Sequence, residues 1–249
     1  IELAEKATKF ILENLHDKKE NILYHRYRNG DRAIKANLAD YSFLSWGLIE
    51  LFEVTFNPDY LEKAINFSDY ILENFWDKEN GGFYFTEKGI EKDFMRQKEY
   101  YDGAIPSGNS IAAWNLKRLS HFTANKELED KSRENLQSFS KNFERQPSAY
   151  SQSLVALQAL SDTYYDIIIV ADDKKEIDKA LKKIKSQYIP NKSIVVLDEE
   201  NKKDLINISS HYKNYEEKND SITFYVCKDY SCSLPTNEIR KLIELLDFS

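Results

Sequence analysis

Two cysteines, Cys227 and Cys232, are all the thiol chemistry in a chain of 249 residues. So few suggest a reducing, cytoplasmic setting rather than a disulfide framework. Their C-x4-C spacing is not the C-x-x-C of a thioredoxin-like redox site, and no second pair accompanies them for zinc. They read as a redox pair, half a metal site or, more simply, a strand-end core thiol and a loop thiol. No apolar run approaches the ~20 residues that span a bilayer. Residues 1–6 read as the start of an amphipathic helix rather than a signal peptide. There is no G-x-G-x-x-G and no phosphate loop, so nucleotide binding has no support. No histidine cluster has metal-ligand spacing and no Ser/His/Asp or Cys/His set stands out, so neither a metal nor a cofactor is expected. The 35 Lys and Arg against 42 Asp and Glu leave a net charge of −7, and no basic run is interleaved with aromatics. That speaks against a nucleic-acid partner.

Tyr, Phe and Trp, by contrast, make up 13% of the chain, enough for a substantial core. Residues 2–15, 59–75 and 126–143 carry apolar residues on one helical face; residues 37–56, 107–123 and 148–163 carry them nearly all round. Phe10-Ile-Leu-Glu-Asn-Leu-His-Asp-Lys-Lys-Glu-Asn21 recurs as Tyr70-Ile-Leu-Glu-Asn-Phe-Trp-Asp-Lys-Glu-Asn80, about 60 residues on, with a weaker copy at 139–144. The pattern is a mainly α protein, three amphipathic/buried hairpins over residues 1–164, half of an (α/α)6 toroid. Short strands are expected at 22–27 and 83–86. From residue 165 to 249 the order changes to strand (166–171), helix (174–187), strand (193–197), strand (222–227) and helix (236–247). This reads as a small α/β domain with a largely parallel sheet, its polar stretch 199–220 mobile.

Connections from outer to inner helices are long and the reverse ones short, so the long loops gather above the N-termini of the inner helices. Those termini present free N–H groups and positive dipole ends to the mouth. The central stretch is residues 98–119, with Gly103, Pro106 and Gly108 in a rigid turn leading into a buried helix. Asp40 and Asp102 are candidate catalytic carboxylates, of the kind a glycosidic or sugar-isomerising reaction needs. The plainer readings are a first-turn acid for Asp40 and an Asp-Gly turn for Asp102. Tyr41, Ser107 and Asn109 are candidate substrate-binding groups, Ser107 equally a helix cap. Trp76 and Tyr101 offer faces for a sugar ring, or plugs for the mouth. Arg26 and Lys98, in the long loops, are candidates for an anionic or hydroxylated ligand, though most loop charges merely face water. His25 is the one histidine expected at the mouth; His16, His121 and His211 read as surface residues.

The run Tyr101-Asp-Gly-Ala-Ile-Pro-Ser-Gly-Asn-Ser110, with Ala39-Asp40-Tyr41-Ser-Phe-Leu44, Trp76-Asp77, Gly81-Gly82-Phe83 and Tyr225-Val-Cys227 through Cys232, resembles the YyaL/spermatogenesis-associated protein 20 family. The resemblance implies a thioredoxin-like domain followed by a six-hairpin, glycosidase-like or epimerase-like toroid. The thioredoxin-like domain, its C-x-x-C and the first half of the toroid are absent here, and the chain opens inside a helix on Ile rather than Met. It therefore reads as a C-terminal part of such a protein. The expectation is a carbohydrate-active or sugar-binding protein with its site at the N-terminal ends of the inner helices. The alternative is a non-catalytic platform that positions a thioredoxin-like domain or another partner. Candidate partners are a small carbohydrate, that domain, the missing half of the toroid, or a second copy of the chain, whose apolar edges an open half-ring would bare.

Overall fold

The computed structural model describes residues 1–90 and 96–246. The helical part comprises α1 (Glu2–Asn14), α2 (Leu38–Thr55), α3 (Pro58–Asn74), α4 (Gly108–Thr123), α5 (Lys126–Gln137), the short α6 (Lys141–Arg145) and α7 (Ser151–Ser161). Between α1 and α2 lie β1 (His16–Asp17), β2 (Ile22–Arg28) and β3 (Asp31–Lys35), an antiparallel sheet in chain order. The inner helices α2, α4 and α7 lie side by side, α4 in the middle, with α3 against α2 and α5 against α4. They run the same way. Asn115 of α4 donates to the Ser42 carbonyl of α2 at 2.7 Å, and three residues further Arg118 reaches Glu50 and Glu53. At the other end the hydroxyls of Ser110 and Ser153 lie 2.8 Å apart, tying the N-termini of α4 and α7. This is the half-toroid layout.

Local chemistry explains the starts. Asn37 caps α2 by accepting from Ala39 N, and Asp40 accepts back from Asn37 N at 2.9 Å, a complete capping box. Ser107 caps α4 and Asn57 precedes Pro58 at the head of α3. The sequence repeat is a structural one. Leu15 O accepts from Tyr24 N at 2.8 Å, and Phe75 O accepts from Tyr84 N at 2.9 Å. Asp17 and Asp77 each fold the following turn by accepting two backbone N–H groups.

Several expectations are corrected. Residues 83–86 form no strand; a single bridge joins Trp76 to Phe83. The helix expected over 126–143 breaks after Gln137, where the Ser138 and Ser140 hydroxyls turn back onto carbonyls three residues earlier. Residues 199–220 are built into the fold: α9 (Lys202–Ile208) and a 3-10 turn bury Leu205 and Tyr212, whose hydroxyl donates to Phe122 O. His16 and His121 are buried, not surface residues. The two cysteines are joined as a disulfide.

The C-terminal sheet is mixed rather than largely parallel. Its order is β5 (Lys192–Leu197), β4 (Tyr165–Val170), β6 (Thr223–Lys228), β7 (Ser231–Cys232), and only β4 and β5 are parallel. Alternation along β4 sends Tyr165, Ile167 and Ile169 towards α8 (Lys174–Lys185) and α10 (Ile239–Leu245). Ile168 and Val170 go the other way, into the core of α2, α3 and α4. The sheet therefore lies at the C-terminal ends of α2 and α4, opposite the mouth. Polar contacts cross the seam: His121 Nδ1 to Asp166 at 3.0 Å, Ser120 to Tyr230 at 2.9 Å, and Asn201 to the Phe56 carbonyl at 3.3 Å. Among the described residues no helix is long and apolar enough to cross a membrane.

A candidate site at the mouth of the inner helices

A cavity of about 950 Å³ opens beside the N-termini of α2 and α4. Its lining combines apolar groups, Ile11 of α1 and Phe43 and Leu44 of α2, with His25, Asp40, Glu99 and Tyr101. The apolar part of the lining is what the sequence did not anticipate. Phe43, Leu44 and Trp46 are only partly covered and Gly47 is exposed, so α2 has an open stripe instead of being wrapped all round. Phe43, Leu44 and Gly47 of that stripe share the cavity with Ala4, Ala7 and Ile11 of α1.

His25 is placed by a chain of contacts. Tyr41 is wholly buried, stacks on Tyr70 at 5.0 Å, and its hydroxyl accepts from Leu23 N at 2.8 Å. This pins β2 to the head of α2, and two residues on His25 meets Asp40. Its Nδ1 lies 2.9 Å from Oδ2 and 3.0 Å from Oδ1. These contacts to the carboxylate fix the orientation of the ring. The His25 side chain is 51% exposed and that of Asp40 26%. An imidazole oriented by a carboxylate at the lip of a cavity can take up or deliver a proton.

Of the residues singled out in the sequence, His25, Asp40, Tyr101, Pro106, Ser107 and Gly108 line this cavity. Tyr101 is 64% exposed. Ser107 is nearly covered and caps α4. Asp102 is turned inward. Its Oδ1 accepts from Ser107 N and from the Ser110 hydroxyl, and its Oδ2 accepts from Gln152 N and Ser153 N at the start of α7. With both oxygens occupied by helix starts, it orients α4 and α7 around the mouth. Tyr41, driven up to about 12 by burial, is a buried hydroxyl bonded to backbone and sits out of reach. Asn109 is fully buried and clamps Phe83 and Glu99 backbone.

Trp76, Lys98 and Arg26 lie away from the cavity lining. Trp76 packs edge-on against Phe83, with Lys131 over its ring at 4.7 Å. Lys98 pairs with Asp77 at 2.7 Å. Burial alone would raise the Asp77 carboxyl; the Lys98 ammonium, Asn80 and two backbone N–H groups instead hold it well below the usual carboxylate range. Arg26 is exposed on β2, opposite Ala33. Among the described residues no group of His, Cys, Asp and Glu is placed to hold a metal ion.

Architecture and mouth together define a half-ring of α/α hairpins backed by a small sheet. No protein-family model matches the chain. Over 211 residues, 83% of its length, it is 35% identical to human spermatogenesis-associated protein 20, and 34% identical to the rat protein over the same span. An uncharacterised protein of Caenorhabditis elegans is 28% identical over 99% of the chain. Over these residues the chain matches the spermatogenesis-associated protein 20 family. It spans about a quarter of the length of these mammalian relatives, 27%. Among solved structures, the GH76 alpha-mannanase of Bacteroides thetaiotaomicron is similar with a TM-score of 0.44 and 18% identity, over 55% of this chain and 36% of that one.

Proposed function

We propose that the mouth binds a carbohydrate, with the His25–Asp40 pair as its proton-handling group. The observation that carries this is the coincidence of three things in one cavity: an oriented imidazole, an exposed tyrosine and an apolar part of the lining. Sugars present just such a mixture, an apolar C–H face and hydroxyls at the rim. Tyr101 would stack on the ring, Glu99 and His25 would meet hydroxyls, and Asp40 would hold the imidazole. Asp102 acts as a positioning residue. Acid–base chemistry on the bound sugar, of the glycosidase or epimerase kind, is the reaction class these groups suit.

The test is saturation-transfer NMR on the purified chain with a panel of mono- and disaccharides. Transfer to at least one sugar, abolished by Tyr101→Ala and weakened by Asp40→Asn, is expected. No transfer to any member of the panel counts against the reading.

A second reading is that the helical layer is a platform for a thioredoxin-like domain or for further toroid hairpins. It draws on Asp102 being fully engaged and on two exposed apolar side chains of α7, Val155 at 45% and Leu157 at 36%. Titrating the chain with a separately expressed N-terminal portion of a full-length relative decides it. Binding that closes the mouth to the Tyr101 probe supports the platform; no association disfavours it.

A further inference from the structure

The seam between sheet and hairpins carries a second cluster, which the mouth does not use. Cys227 on β6 lies directly opposite Cys232 on β7, and their sulfurs are bonded. The hairpin joining them is already closed by its turn, in which Asp229 and Tyr230 both take positive φ, +47° and +68°. This is the two-residue arrangement that suits the twist of paired strands. A cross-link over five positions of a chain that is folded back anyway removes little disorder from the unfolded state. As a structural staple it is poorly placed.

As a reactive group it is well placed. The two sulfurs differ in access: Cys227 is 2% exposed and buried in the seam, whereas Cys232 is exposed on the edge strand. A nucleophile from solvent meets Cys232 first. Behind the pair is a cavity of about 230 Å³ lined by His121, Asp166, His211, Tyr215 and Tyr230 together with both cysteines. It offers room for the sulfurs to separate once the bond is broken. One hydroxyl faces both of them: Tyr215 Oη is 3.9 Å from Cys227 Sγ and 3.8 Å from Cys232 Sγ. Burial raises the Tyr215 phenol above its ordinary range, so it stays protonated and able to donate.

We propose that Cys227–Cys232 is a redox-active disulfide that accepts two electrons from an external dithiol, with Cys232 as the attacked sulfur, Cys227 as the leaving thiolate and Tyr215 as its hydrogen-bond donor. A thiolate of the dithiol attacks Cys232 Sγ in line with the S–S bond. A mixed disulfide forms and Cys227 leaves as a thiolate, which the Tyr215 hydroxyl stabilises before water protonates it. The second thiol of the donor, as thiolate, then displaces Cys232. The donor ends as a disulfide, the chain carries two thiols, and the two protons of the donor thiols end on the cysteines. The site is independent of the mouth.

The experiment uses the oxidised 249-residue chain; protein isolated in reduced form is first treated with diamide. Dithiothreitol at millimolar concentration, neutral pH and no denaturant is expected to yield two alkylatable thiols with an unchanged circular-dichroism spectrum. Glutathione in limiting amount is expected to give a first adduct on Cys232, located by peptide mass spectrometry. Tyr215→Phe is expected to slow reduction about tenfold, the worth of one hydrogen bond to a charged group. Its folding is checked by circular dichroism, and the adduct position in the unsubstituted chain stands whether or not that variant folds. The proposal is overturned by failure of diamide to join the cysteines. It is equally overturned by a disulfide that resists dithiothreitol until the chain unfolds, by a first adduct on Cys227, or by a folded Tyr215→Phe chain reduced at the original rate.

Discussion

Asn109 holds the backbone of Phe83 from both directions. Phe83 N–H donates to Asn109 Oδ1 at 2.8 Å, and Asn109 Nδ2 donates to the Phe83 carbonyl at 2.9 Å and to the Glu99 carbonyl at 2.8 Å. One side chain in the first turn of α4 thus fixes two separate points of the long loop that forms the mouth. Asn109→Ala strands three backbone groups, with Phe83 itself wholly buried. A loss of about 3 kcal/mol is expected, read as a lower urea midpoint with an unchanged slope.

Gly108 lies where α4 meets the head of α2. A Cβ there would come within 3.0 Å of both Ala39 N and Leu38 Cγ, so the helix starts must move apart. Gly108→Ala should cost about 1–3 kcal/mol. Because Asp40 follows Ala39, the same change should weaken any ligand that engages His25–Asp40. Thermal melts and ligand titration on one preparation check both effects.

Arg118 is buried on α4 and held by Glu50 at 2.7 Å and by Glu53. Removing the cation leaves Glu53 half-buried without its partner, its carboxyl already raised by burial against the pull of Arg118. Arg118→Ala is expected to cost about 3–5 kcal/mol. Glu50→Ala should cost under about 1 kcal/mol, because that side chain is 56% exposed. Chemical denaturation of the two variants side by side tests the ordering.

Acid should weaken the fold in two stages. Burial pushes His211 down to about 4 from an ordinary value of 6.5. Between these values the unfolded chain binds the extra proton, so the His211 contribution is complete above about pH 6.5 and is lost as pH falls to about 4. His16, also lowered by burial, acts in the same direction. Asp77 adds a second stage, because its depressed carboxyl contributes fully above the ordinary 3.8 and is lost below it. Melting temperature recorded from pH 7 to 3 should fall throughout. His211→Gln should flatten the upper stage and Asp77→Asn the lower.

The helices were legible in the sequence because period and caps agree. Asn37, Asn57 and Ser107 start α2, α3 and α4 where the pattern of apolar residues begins. The duplicated Asp17 and Asp77 turns were legible as a repeat. What stayed hidden depends on contacts distant in sequence. An apolar stripe on α2 looks the same whether a neighbour covers it or a cavity does, so the Phe43–Leu44 stretch read as core. Asp102 gave no sign that its partners would be Gln152 and Ser153, fifty residues away. Histidine is polar in any composition scale, yet His121 is stacked between Tyr164 at 3.8 Å and Tyr230 at 4.5 Å. Strand order likewise could not be read from the strand–helix–strand sequence, because β6 pairs with β4 antiparallel.

The two faces of strand β4 belong to different cores, and one of those cores is mostly helical. Cutting the chain between Tyr164 and Tyr165 would not release two proteins. One fragment would carry a greasy floor of Ile168, Val170 and Val195, and the other would lose the surface on which Phe122 and Phe52 rest. Heating should accordingly give one calorimetric peak with matching van't Hoff and calorimetric enthalpies. Shortened versions for expression should keep both pieces or neither.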